Sequence, residues 1–361
     1  MSFRDTFGIK YPIIQAPMAG SDDPTLVAAS SNSGVLGSLG AQYRSPEEIR
    51  KAIQHIRDLT DKPFAVNLFA LPKNLPPTES EIKTATRPLE RYYAKFNIQT
   101  PTPASIRSTI DAEAQLQVLL DERVPVFSFT LGVPDAKWLD AFRENDTLLI
   151  GTATNIDEAL LLERSGVDAL TAQGTEAGGH RGTFIGAHED SMIGLMSLIP
   201  ELVDTVKIPV IAAGGIMDGR GIAAAFALGA QAVQLGTAFL GVNECSVHQA
   251  YKDALKTHTS NQTKITKVFS GGAARGIDNE FMHQNAEMPL LPFPYHNSLT
   301  RPIRKVANER GLTDYTNLWS GQSGRLLREV STNELVKALV AETKSAVDNL
   351  FAACVAMEHT D

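Results

Sequence analysis

One short segment concentrates the reactive groups of this chain. Residues 176–182 read Glu-Ala-Gly-Gly-His-Arg-Gly. A structural histidine usually sits among apolar neighbours. His180 sits among glycines, where little packs around it and a flat ligand can approach the backbone at Gly178 and Gly179. Imidazole changes charge close to neutral pH, which makes His180 the candidate catalytic group. Its charged neighbours Glu176 and Arg181 are weaker candidates, because a charged loop residue is usually solvated.

Two more glycine loops follow short apolar runs. Gly214 and Gly215 end one run, and Gly236 ends the next, followed by Thr237. Glycines at such ends let backbone N–H groups close on an anion. A helix start near Asp218 adds positive potential, and the Thr237 hydroxyl adds a donor. This chemistry suits a phosphate. Other runs end in amides, at Asn67 and Gln173, which can donate and accept along the pyrimidine edge of a flavin ring. Pro17 and Met18 would supply that ring with an apolar wall. A separate cationic cluster, Arg301, Arg304 and Lys305, follows a proline-braced loop containing Tyr295. The pattern predicts a helix over 302–309. Cations at a helix start oppose its dipole, so either an anionic substrate or plain solvation explains them.

These residues need a scaffold that collects strand ends on one face. Up to residue 245 the chain alternates short β-branched runs with amphipathic stretches. Strands are expected at 13–16, 35–39, 64–68, 126–129, 148–151, 169–172, 210–213 and 232–235. Helices are expected at 24–31, 46–58, 104–120, 135–143, 156–165, 193–203, 219–228 and 247–255. Eight alternations predict an α/β fold, a (β/α)8 barrel whose loops at the strands' C-terminal ends carry the site. An open doubly wound sheet is the alternative. Residues 71–103, with a polar helical piece over 81–96, form an insertion at the barrel mouth, expected as a lid. Residues 246–332 read as a helical, loop-rich, substrate-side region, with a second short helix over 323–328. Residues 333–361 read as a terminal helix whose stripe of Leu335, Leu339, Val340, Val347, Leu350 and Phe351 should pack back on the barrel.

Composition narrows the function further. The chain has 361 residues, 43% hydrophobic and 20% charged, with net charge −8. That excludes disorder and argues against nucleic acid as a partner. No run approaches the ~18 apolar residues of a membrane span. Cys245 and Cys354 are the two cysteines, too few for a disulfide framework or a closed zinc site, so a reducing cytoplasm is expected. Both read as packing residues.

The chain resembles the nitronate monooxygenase family, its class I in particular. The resemblance rests on segments 15–18, 66–69, 128–134, 176–182, 214–215, 234–237, 272–276 and 318–322. It implies FMN on a barrel, held by Asn67, Gln173, Gly178, Gly215, Gln234, Leu235, Gly236 and Thr237, with His180 as the active-site histidine. It implies oxidation of alkyl nitronates, such as propionate 3-nitronate, by O2 to a carbonyl compound and nitrite. Should neutral nitroalkanes also react, His180 would be the base. Some class I members carry His where this chain has Thr130. Segment 176–182 is shared with FMN-dependent enoyl-acyl-carrier-protein reductases. NAD(P)H-dependent reduction of enoyl thioesters or quinones is therefore the second expectation.

Overall fold

The computed structural model describes residues 2–71, 75–106 and 111–357. Eight parallel strands form one sheet: β1 (Ile13–Gln15), β2 (Gly37–Gly40), β3 (Phe64–Phe69), β4 (Val126–Thr130), β5 (Leu148–Ala153), β6 (Ala169–Gln173), β8 (Val210–Ala213) and β9 (Ala232–Leu235). Their order is β1-β9-β8-β6-β5-β4-β3-β2, and a parallel bridge from Ile14 to Leu36 joins the two ends. With helices around it, this is a (β/α)8 barrel. The helices form where their sequences specify ends. In Pro46–Leu59, Ser45 and Glu48 make a reciprocal capping box, Pro46 opens the first turn, and Ile49, Ile53 and Ile56 are buried.

Period-two alternation along the strands sets what faces the barrel axis. The lowest layer is apolar: Ile14, Leu36, Ala65, Val126, Ile150, Ala169, Ile211 and Ala232 cluster there. Phe3 and Phe7, from the short helix Phe3–Phe7, pack against it and plug that end. Two residues further along most strands, the inward positions are Ala16, Asn67, Ser128, Thr152, Thr171, Ala213 and Gln234, and all of them line a cavity. The barrel therefore changes from apolar to polar toward its C-terminal mouth.

The parts outside the barrel depart from expectation. The later region is not only helix and loop. β10 (Thr263–Thr266) and β11 (Ala274–Ile277) pair antiparallel, and β11 also pairs with β7 (Gly179–His180). The insertion forms helices Glu79–Thr86 and Glu90–Phe96, separated by the turn Arg87–Leu89 that contains Pro88. Its Tyr92, Tyr93 and Phe96 share one core with Phe269, Phe281 and Leu299. Part of the insertion, residues 72–74, lies outside the described residues, as do 107–110 of the helix expected over 104–120, which is seen as Ala112–Asp121. The expected helix over 323–328 is only the short turn Gly324–Leu326.

Two larger corrections concern helices. Tyr295–Glu309 is one helix with Pro302 inside it, so the cationic residues sit mid-helix and no dipole conflict arises. The terminal helix Thr332–Met357 buries Leu335, Val336 and Leu339, and packs mainly against helix Gly219–Ala227. Its outer half does not pack back: Val347, Leu350 and Phe351 are 48%, 50% and 71% exposed.

Candidate active site

The cavity at the barrel mouth measures about 190 Å³. Its floor is the polar layer described above. Asn67 Nδ2 donates to Ser128 Oγ at 3.0 Å, which leaves the Asn67 carbonyl oxygen for a ligand. Gln234 also lines the floor. Along one side lie Pro17 and Met18, held by a buried carboxylate. Asp22 Oδ2 accepts from the N–H groups of Met18 (2.6 Å) and Gly40 (2.7 Å). Its Oδ1 has no partner, and burial pushes its pKa up to about 6.

The ends of β8 and β9 form a backbone cradle. Gly214 and Gly215 have φ of 129° and 68°, a region that side chains avoid. A Cβ on Gly236 would meet only Ala16 Cβ at 3.5 Å and Met18 Sδ at 3.8 Å. Thr237 Oγ1 accepts from Gly321 N–H at 3.0 Å, which leaves its O–H free to donate. Ser323 lines the same corner. Gly178 serves a different purpose, because its Cβ would meet Gly321 N at 2.5 Å. It allows two backbones to touch. Leu235 alternates away from the cavity into the outer core.

His180 forms part of the roof. It lies on β7, opposite Ala274 of β11, and its Nε2 is 2.8 Å from Ser270 Oγ. The rings of Phe69, Phe293 and Trp319 stand 5.7, 5.4 and 5.7 Å from the imidazole. This enclosure, with the nearby Arg304 cation, lowers the His180 pKa to about 4. His180 is therefore neutral at physiological pH, and not the near-neutral base that its sequence setting suggested.

The charged neighbours of His180 are scaffold. Arg181 is buried and donates to the carbonyls of Gly174 (2.6 Å), Gln173 (3.2 Å) and Ser191 (3.1 Å). Glu176 Oε1 accepts from Leu195 N–H at 3.0 Å, placing an anion at the start of helix Leu195–Thr205. Gln173 straddles the loop, donating to His180 O (3.0 Å) and accepting from Gly182 N–H (2.8 Å). Glu158, which the sequence reading passed over, takes the N–H groups of Phe184 and Ile185 at 2.5 and 2.9 Å. These bonds fix the loop on both sides of His180.

The cationic cluster divides. Arg304 points inward, donating to Thr300 Oγ1 (3.1 Å), Asn317 Oδ1 (2.8 Å) and Asn297 Oδ1 (2.5 Å). Among the described residues it makes no ion pair, and its charge is felt at Tyr43 and His180. Tyr43, also missed from sequence, lines the cavity. Lys305 is exposed and faces Glu309 at 3.9 Å. Tyr295 is buried in the core shared with the insertion helices and does not line the cavity. The structure therefore brings together Pro17, Met18, Asn67, Gln173, Gly178, Gly179, His180, Gly214, Gly215, Gln234, Gly236 and Thr237, and leaves Leu235, Tyr295 and Lys305 apart. Phe69, Ser270, Phe293 and Ser323 are additions. Each is brought in by pairing across long sequence separations.

A barrel with an amide-lined floor, a glycine cradle after its last two strands and a histidine roof has the layout of a barrel oxidoreductase. A family model described as nitronate monooxygenase matches residues 2–342, and the chain belongs to that family of oxidoreductases, which is generally flavin-dependent. Similar relatives include probable nitronate monooxygenases of Staphylococcus saprophyticus and Staphylococcus haemolyticus. They are 41% and 43% identical over 344 residues, covering 94% of this chain and 96% of each relative. Among solved structures, nitroalkane oxidase from Streptomyces ansochromogenes is 37% identical with a TM-score of 0.88, covering 97% of this chain and 100% of that one. FabK from Thermotoga maritima is 31% identical with a TM-score of 0.77, covering 97% and 98%. Among the described residues no helix is long and apolar enough to cross a membrane.

Proposed function

We propose that this enzyme binds FMN and oxidises alkyl nitronates with O2, giving a carbonyl compound and nitrite. The observation that carries this reading is a neutral histidine above the cavity, with the charge of Arg304 beside it and, among the described residues, no carboxylate paired with that arginine. The residues fit FMN. The glycine cradle and Thr237 would hold the phosphate, and Asn67 and Gln234 would meet the ring's polar edge, with Pro17 and Met18 beside it. When bound, FMN supplies electron transfer between nitronate and O2.

The protein's part is orientation and charge. Arg304 and the Tyr43 hydroxyl favour an anion over its neutral nitroalkane. His180 Nε2 and Ser270 Oγ share a hydrogen bond at 2.8 Å; in the tautomer whose Nε2 accepts it, the ring proton would sit on Nδ1 for a nitronate oxygen. A conjugate acid of pKa about 4 makes His180 a weak base, so preformed nitronates should far outpace neutral nitroalkanes. The two free cysteines are consistent with a reducing cytoplasm.

The test is direct. The purified protein should be yellow, release FMN on heating, and form nitrite from ethyl nitronate with O2 uptake. Rapid anaerobic bleaching by NADPH, without nitrite formation, would instead establish the reductase reading, which the FabK likeness favours.

A further inference from the structure

A second cleft, of about 780 Å³, adjoins the cofactor cavity. His180 and Phe69 border both, and Phe293, on the cleft side, packs against each of them, so these rings separate the two spaces. Its walls come from outside the barrel axis. Leu68 and Phe127 are the outward-facing neighbours of Asn67 and Ser128, while Leu116 and Trp138 come from helices Ala112–Asp121 and Ala136–Glu144. Polar groups on these walls are already engaged. The Gln115 amide donates to Gln42 O and Arg44 O, Arg181 to its three carbonyls, and Thr183 Oγ1 bonds Thr154 Oγ1. Acids stand on the lining too: Asp135, and Glu113 facing Lys137 at 3.4 Å.

The loop beside the cleft is strained. Leu131, a branched residue, has φ of 66°. A Cβ on Gly132 would lie 2.1 Å from Ala70 O, so the loops after β3 and β4 touch through their backbones. Left-handed backbone at a bulky residue persists where the surroundings over-determine it, often beside a ligand site. Here it places Leu131 in the cleft wall.

We infer that this cleft receives a neutral, unbranched alkyl tail of the substrate, so that the enzyme prefers long-chain over short-chain nitronates. The tail would start beside His180 and run outward past Phe69 and Phe293. The inference rests on the nitronate reading for its reacting end, whereas the tail subsite rests on the cleft alone. Asp135 and Glu113 would disfavour a tail ending in carboxylate there. Propionate 3-nitronate, by contrast, would turn its carboxylate toward Arg304.

Two measurements on the FMN-loaded enzyme decide it. The first is kcat/KM for primary nitronates from two to ten carbons. It should rise about three- to fourfold per methylene until the cleft is full. Leu116→Trp and Val133→Trp should each remove the rise while leaving the ethyl nitronate rate unchanged. The second is calorimetric binding of the neutral probes nitroethane and 1-nitrooctane, which needs no turnover. 1-Nitrooctane should bind at least tenfold tighter, and the Trp variants should lose that margin. Should both variants misfold, the ranking of probes by the unmodified protein decides. Equal affinity for both probes, or a length dependence that survives both Trp substitutions, overturns the inference. Tail-dependent probe binding without any nitronate turnover would keep the cleft and overturn the nitronate reading.

Discussion

The two halves of the cofactor cavity are built by different means. The floor and cradle come from the ends of barrel strands, and the cradle's chemistry is largely backbone: Gly214, Gly215 and Gly236 at the tips of β8 and β9. The roof is side chains. His180, Phe69, Phe293 and Trp319 arrive from four segments and meet through β7–β11 pairing and ring packing. A backbone cradle is specified by local sequence, whereas a side-chain roof exists only once distant segments are docked. The floor should therefore hold cofactor, and the roof should choose and orient substrate.

Substitutions on each side can break or sharpen this contrast. The largest effect is expected from Arg181→Met, which unpins the roof loop. It leaves three carbonyl oxygens without their buried donor, at about 1–3 kcal/mol for each unsatisfied group. Chemical denaturation should show a loss of at least ~3 kcal/mol, with nitronate activity near zero. Unchanged stability would mean that Arg181 does not hold the loop.

His180→Asn should keep FMN, since the floor is untouched. Losing a hydrogen bond to a charged group costs about 1.5–3 kcal/mol, or roughly 10–150-fold in nitronate turnover. The neutral state of His180 also fixes a pH expectation. Its pKa is lowered to about 4, so turnover should show no histidine step between pH 5.5 and 8. Full activity in the variant would make the roof histidine structural.

The next effect belongs to the floor. Asp22 has its folded pKa raised to about 6, so its contribution to stability is present at low pH and lost as pH rises through 6. At pH 8 its buried charge, with one unpaired oxygen, costs stability. Asp22→Asn should raise stability by about 1–2 kcal/mol at pH 8, and the gain should vanish by pH 4. A thermal melt at both pH values reads this. The smallest effect separates the two neighbouring cations. Lys305→Ala should leave KM for nitronates within about twofold, as expected for an exposed pair, whereas Arg304→Met should raise it.

What could be read from the chain follows the same division. The eight barrel strands were legible because parallel strands buried on both faces leave continuous apolar runs. Gly214, Gly215 and His180 were legible because their glycine settings are local. β10 and β11 were not: Thr263 and Lys264 carry no apolar run, and β11 contains a buried Arg275. Pro302 misled because proline usually opens a helix, while here seven helical residues precede it. Arg181 and Glu176 looked like site residues because scaffold and catalytic groups share the same loop. Trp319 lies in a segment that carried the family resemblance, but neither it nor Phe293 is marked locally as a neighbour of His180, since that role comes from what packs beside them.

The pairing of β7 with β11 also sets an order of events during synthesis. β9, the last barrel strand, ends at Leu235. Ser270 follows His180 by ninety residues, and Trp319 follows later still. A chain emerging from the ribosome has all eight barrel strands and the three cradle glycines before the hydroxyl partner of the histidine has been made, and Gly321 and Ser323, which complete the cradle's corner, come later still. Until β11 arrives, β7 is a two-residue strand without its partner. The roof of the site, and one corner of its cradle, are thus the last parts of the pocket to be made.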